Sequence, residues 1–139
     1  MPKAFTLIEL ICVISLIAVI CLSIFSAFNF VYDLTEANHA RINALNLAQE
    51  KIELIKNMDY QLIGLVGGEP PGNLTGSEDI QINNLSFQIF YQVNWIDDPY
   101  DLTAPADTAP HDYKRVQVSV TADTKKVIKP VILVTDIAE

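Results

Sequence analysis

From Leu10 to Val31 the chain runs for 22 residues without a charge, a glycine or a proline. As an α-helix that run is about 33 Å long, enough to cross a bilayer core of about 30 Å. One carboxylate, Glu9, stands at its head. An ionisable group at membrane depth is costly, so it calls for a partner.

Two plain readings of these residues are available. Thr6-x-x-Glu9 is a capping box. In it the Thr6 hydroxyl accepts from the backbone N–H of Glu9, and Glu9 reaches back to the N–H of Thr6. A negative charge in the first turn also suits the helix dipole. Capping does not require a carboxylate at the edge of a membrane, so a second role for Glu9 is expected. The other plain reading is an ordinary secretory signal, with small residues at Ser26-Ala27. Its apolar region spans about 7–15 residues, shorter than this run, and Glu9 interrupts the approach to it. Lys3 and the amino terminus favour the N-terminal side inside, with Arg41 as the near competitor beyond the run.

Helix pattern continues past the apolar run. Residues 33–58 again lack Gly and Pro and are rich in helix formers. Ile42, Leu45, Ala48, Ile52, Ile55 and Met58 recur in steps of three or four and predict one apolar face. One helix from Phe5 to about Met58 would be about 80 Å long. Gly64 and Gly67-Gly68 supply stop signals. Residues 62–79, with five glycines and two prolines, read as a loop.

Alternation begins after that loop. Leu85, Phe87, Ile89, Tyr91, Val93 and Trp95 share one face of a strand, and Trp95 is expected in the core. Val116, Val118 and Val120 mark a second strand, and residues 127–134 a third, which Pro130 assigns to an edge or a bulge. Lys114, Arg115, Lys125, Lys126 and Lys129 read either as a basic patch facing a neighbour's acidic loop or, the favoured reading, as cations guarding a sheet edge against stray pairing. The expected fold is α+β: a long N-terminal helix, membrane-spanning in its first half and amphipathic in its second, on a small antiparallel sheet of three or four strands.

Lys3-Ala4-Phe5-Thr6-Leu7-Ile8-Glu9-Leu10, followed by an apolar helix, resembles the prepilin signal of type IV pilins and type II secretion pseudopilins. The resemblance implies cleavage between Ala4 and Phe5 by a prepilin peptidase, methylation of Phe5, and an assembly role for Glu9 with Phe5. Ala4 stands where the family usually has Gly, and Cys12 where it usually has an aliphatic or small residue. The implied organisation is a leader over 1–4, a transmembrane or filament-core helix over 5–32, an amphipathic helix over 33–60 and a sheet head over 61–139. Residues 45–53 resemble the same helix of the minor pseudopilins and minor pilins. The head has no cysteine, so it lacks the C-terminal disulfide loop of many major pilins. Implied partners are other pilin or pseudopilin subunits, the peptidase, an inner-membrane assembly platform and the lipid bilayer. The implied location is the inner membrane, single-pass with an extracytoplasmic head, and then a filament.

The remaining residues point away from catalysis. His39 and His111 have no cysteine near them in the chain, and neither a Gly-x-Ser-x-Gly turn nor a phosphate loop occurs. A net charge of −8 argues against a nucleic-acid partner. Cys12 and Cys21 are about 13 Å apart on one helix and read as small buried hydrophobes that do not pair. Asp97, Asp98 and Asp101, with Asp107 and Asp112, are oxygen ligands of the kind calcium takes, and some major pseudopilins hold calcium in a loop. No Asp-x-Asp-x-Asp-Gly spacing occurs there, so a solvated acidic loop and no cofactor are expected. Two classes of function remain: a non-enzymatic filament subunit, and a binding module held permanently on the membrane.

Overall fold

The computed structural model describes residues 6–97, 111–123 and 129–138. The chain divides into two compact units, Met1–Asn38 and His39–Glu139. One helix, α1 (Leu7–Lys56), contributes to both. A short 3-10 turn follows at Tyr60–Leu62, and then four strands: β1 (Ser77–Ile82), β2 (Leu85–Ile96), β3 (Tyr113–Asp123) and β4 (Val131–Ala138).

The strands form one antiparallel sheet in the order β1-β2-β3-β4. Alternation sets its two faces. Phe87, Ile89, Tyr91 and Val93 of β2 and Val116, Val118 and Val120 of β3 are buried, while Gln88, Gln92 and Asn94 are exposed. Register carries the inner face across the strands, with Ile80 opposite Phe87, Tyr91 opposite Val118, and Val118 opposite Leu133. The head portion of α1 buries Ala40, Ala44, Leu47, Ala48, Ile52 and Ile55 in the same core. At about 25 cal/mol per Å² this apolar burial is the main favourable contribution to the head.

The expected α+β fold is therefore found, with several corrections. The buried face of α1 is rotated from the expected one. Ala48, Ile52 and Ile55 belong to it, but Ile42 and Leu45 are 54% and 38% exposed, and Ala40, Ala44 and Leu47 take their place. The region expected to be a loop as far as Asp79 holds the start of β1 at Ser77. Asn83 and Asn84, both at positive φ, close the β1–β2 hairpin in two residues, the geometry of a type I′ turn. Strand β4 starts just after Pro130 and extends to Ala138, later at both ends than expected. Pro130 precedes the first residue and removes no N–H from the ladder, so it does not constrain the strand; β4 is nonetheless at an edge, one of the two expected placements.

Lys114 is the largest departure. It is 2% exposed and not a surface cation. Its ammonium donates to the carbonyls of Tyr60 (2.8 Å) and Ile63 (2.7 Å) and lies over the rings of Tyr60 and Trp95 at 4.5 and 4.9 Å. The charge is thus solvated by carbonyls and aromatic faces and ties the 3-10 turn to the sheet. Trp95 is half-buried at the rim of the core, where its other neighbour is the His111 ring, stacked at 4.8 Å. Arg115 pairs with Asp136 of β4 at 2.7 Å. Since β3 is an inner strand, neither Lys114 nor Arg115 guards an edge; Lys125 and Lys126 lie outside the described residues.

Between α1 and β1 the loop is tightly wound. Asn73 donates to Leu62 O and Leu74 to Gly64 O, bringing two glycines together. A Cβ on Gly64 would sit 2.3 Å from the Pro71 carbonyl oxygen, and one on Gly72 2.3 Å from the Gly64 nitrogen. Only glycine fits at either place.

Candidate functional site: the amino-terminal helix

The described chain begins at Thr6, and α1 follows at once. The Thr6 hydroxyl accepts from the Glu9 N–H at 3.3 Å, and the Thr6 carbonyl accepts from Leu10 at 3.2 Å. Half of the capping box is therefore formed, and it fixes where the helix starts. The other half is not: the Glu9 carboxylate has no hydrogen bond or ion pair among the described residues. It is exposed, in the first turn, where the dipole tolerates a negative charge. Ala4 and Phe5, the expected processing residues, lie outside the described residues.

Behind Glu9 the helix is long and apolar enough to cross a membrane, with a mean hydropathy of 2.9 over its most apolar window and none of that window buried. Leu10, Ile14, Ile17, Ile20, Ile24 and Phe28 are each half-exposed or more. This distinguishes the segment from the core helix of a soluble protein, which hides such residues within its own fold.

The polar residues in the segment are satisfied by its own backbone. Ser15 donates to the carbonyls of Ile11 and Cys12, Ser23 to Val19, and the Asn29 amide to Phe25, all within 3.1 Å. Just past the run, Thr35 donates to Val31 at 2.8 Å. Such back-bonding lets hydroxyl and amide groups enter hydrocarbon without an outside partner. Cys12 and Cys21 are free, as their spacing along one helix requires, but exposed and not buried as expected, because they lie on the apolar stretch that the chain leaves uncovered.

The head offers no catalytic cluster among the described residues. Its polar groups join Lys51 of α1 to Glu78 of β1, with both carboxylate oxygens within 3.0 Å of the ammonium, and the Tyr91 hydroxyl also donates to Glu78 at 3.0 Å. The Lys51 hydrogen bond holds the Glu78 carboxyl below its ordinary value, while burial and then the hydrogen bond to Glu78 push the Tyr91 phenol up. Neither Lys51 nor Glu78 stood out in the sequence, because each reads as a surface residue of its own element. Of the calcium candidates, Asp97 is exposed just beyond β2, and Asp98 and Asp101 lie outside the described residues. No group of three or more metal-ligating side chains occurs among the described residues.

Compared with known proteins, the chain matches no family model, no curated protein and no solved structure.

Proposed function

We propose that the chain is a structural subunit, a minor pilin or pseudopilin, of a type IV pilus or a type II secretion pseudopilus. The observation that carries this reading is the Glu9 carboxylate, without a hydrogen bond or ion pair among the described residues, at the head of an apolar stretch of which no residue is buried. Residues 5–10, Phe-Thr-Leu-Ile-Glu-Leu, supply the processing motif. On this reading a prepilin peptidase removes residues 1–4, Phe5 is methylated, and the subunit waits in the inner membrane with its head outside.

Assembly then moves the apolar helix from lipid into a bundle of like helices. Water is scarce there, so an unpaired carboxylate seeks a cation. The α-amino group of Phe5, on the same or the adjacent subunit, supplies it. Attraction at low dielectric is strong, but desolvating two charges offsets much of it. The pair therefore contributes placement of the incoming subunit more than raw stability.

Mass spectrometry of the membrane-derived protein tests the processing step. Loss of Met1–Ala4 and one added methyl on Phe5 are expected. An intact N-terminus in cells that contain the peptidase overturns the filament reading. It would support a permanently anchored binding module instead. For assembly, Glu9→Leu is expected to be cut and inserted normally yet to be largely missing from sheared filaments, with Glu9→Gln intermediate. If Glu9 only capped the helix, Gln would serve as well as Glu.

A further inference from the structure

Strand β4 is the last in the sheet, and its second edge has no partner among the described residues. Beside that edge runs a groove of about 490 Å³, lined by Arg41, Ile42 and Leu45 of α1 and by residues 129–133. Its walls are the residues that the helix does not bury: Ile42 is 54% exposed and Ile132 of β4 51%. Arg41 and Lys129 make no ion pair among the described residues. The chain carries 9 Lys and Arg against 17 Asp and Glu, yet this groove is lined by two cations and no carboxylate.

We propose that the β4 edge and this groove hold an extended segment of another protein, with apolar side chains flanked by carboxylates. The backbone decides between occupants. A free strand edge presents a row of N–H and C=O groups that an added strand satisfies along its length. A helix has already spent its own backbone groups, and a lipid headgroup offers acceptors at one point only. Edges are usually blunted by lysine or proline within the strand. Here Lys129 and Pro130 precede it and leave residues 131–134, Val-Ile-Leu-Val, open to pairing. Apolar side chains of the added strand fill the space against Ile42, Leu45 and Leu133, and carboxylates at its ends meet Arg41 and Lys129. This inference goes beyond filament assembly and holds for an anchored module as well.

The full chain in lipid nanodiscs, with short alternating Val-Thr peptides as probes, tests it by fluorescence anisotropy. A peptide with Asp at both ends is expected to bind about tenfold or more tighter than the same peptide with Lys at both ends. The Arg41→Glu, Lys129→Glu double variant is expected to invert that preference. N-methylation of alternate amides in one of its two phases is expected to abolish binding. Three results overturn the proposal: equal affinity for the two peptides, no binding of either, or binding that survives N-methylation in both phases. Loss of binding in anionic but not zwitterionic discs would assign the groove to lipid headgroups instead. Loss of binding as chain concentration rises would assign it to a second copy of this chain. Either outcome also overturns it.

Discussion

The two parts of α1 obey opposite rules. Along residues 7–36 every side chain is exposed, although most are apolar. Along residues 39–56 six side chains are buried on one face, and three of those six are alanine. Backbone geometry is the same, so the difference lies in what surrounds each part. A helix that is apolar all round has no preferred side and suits an apolar medium on all sides; a helix with one apolar face suits protein on that face and water on the other. Apolar content alone does not distinguish the two. Which residues the chain itself covers does.

Truncating one bulky apolar side chain in each part of α1 is the sharpest way to break that comparison. Ile55 is 2% exposed and Phe28 71%. Ile55→Ala is expected to cost the head about 2–5 kcal/mol. Phe28→Ala is expected to leave the head's unfolding midpoint unchanged. Urea unfolding in detergent, followed by the fluorescence of the single Trp95, reads both. A shift above about 0.5 kcal/mol for Phe28→Ala would mean that the regions are not separate in stability.

A second pair of variants sharpens it within the head. Lys114→Met removes both ammonium hydrogen bonds and takes from the Ile63 carbonyl its donor, while the Tyr60 carbonyl keeps the Ile63 N–H. It is expected to cost roughly 1.5–3 kcal/mol in the same urea experiment, the range for hydrogen bonds to a charged group. Arg115→Ala, next in sequence but in an exposed pair with Asp136, is expected to leave the midpoint where it was.

The smallest effect is one of pH. The Lys51 hydrogen bond keeps the folded-state Glu78 carboxyl below its ordinary 4.5. A carboxylate shifted this way stabilises the fold above its unfolded value, and that contribution is lost as pH falls through the folded value. The Glu78 side chain is 40% exposed, so solvent screening keeps the contribution under about 1 kcal/mol. Midpoints measured from about pH 5 down to pH 3 should fall less steeply for Glu78→Gln than for the native chain. Equal slopes would remove Glu78 from the acid sensitivity of the head.

Much of the fold was legible in the sequence because periodicity is a strong signal where bulky side chains carry it. Alternation from Leu85 to Val93 and from Val116 to Val120 marked the inner face of the sheet correctly. The departures share a cause: neither side-chain size nor charge decides burial. Ile42 and Leu45 outweighed Ala40 and Ala44, yet larger neighbours cover an alanine completely. Lys114 was read by its charge, and the carbonyls that solvate it come from residues 60 and 63, far away in sequence. Strand β1 went unread because Ser77-Glu78-Asp79-Ile80-Gln81-Ile82 is half polar, as suits an edge; the adjacent Asn83-Asn84 was the turn signal that would have revealed it. At Glu9 the sequence offers a capping box, and the structure forms its Thr6 half, with no hydrogen bond or ion pair to the carboxylate among the described residues.

The strand order has a consequence for how the head forms. Each strand pairs with its immediate neighbours in sequence, so no strand waits for a distant one to arrive. Contacts between successive elements close small loops, which favours rapid folding. A chain emerging N-terminus first lays down its strands in the order of synthesis, each docking on the last, and the unfinished edge advances until β4 ends it. The growing sheet never has to open to admit a late strand.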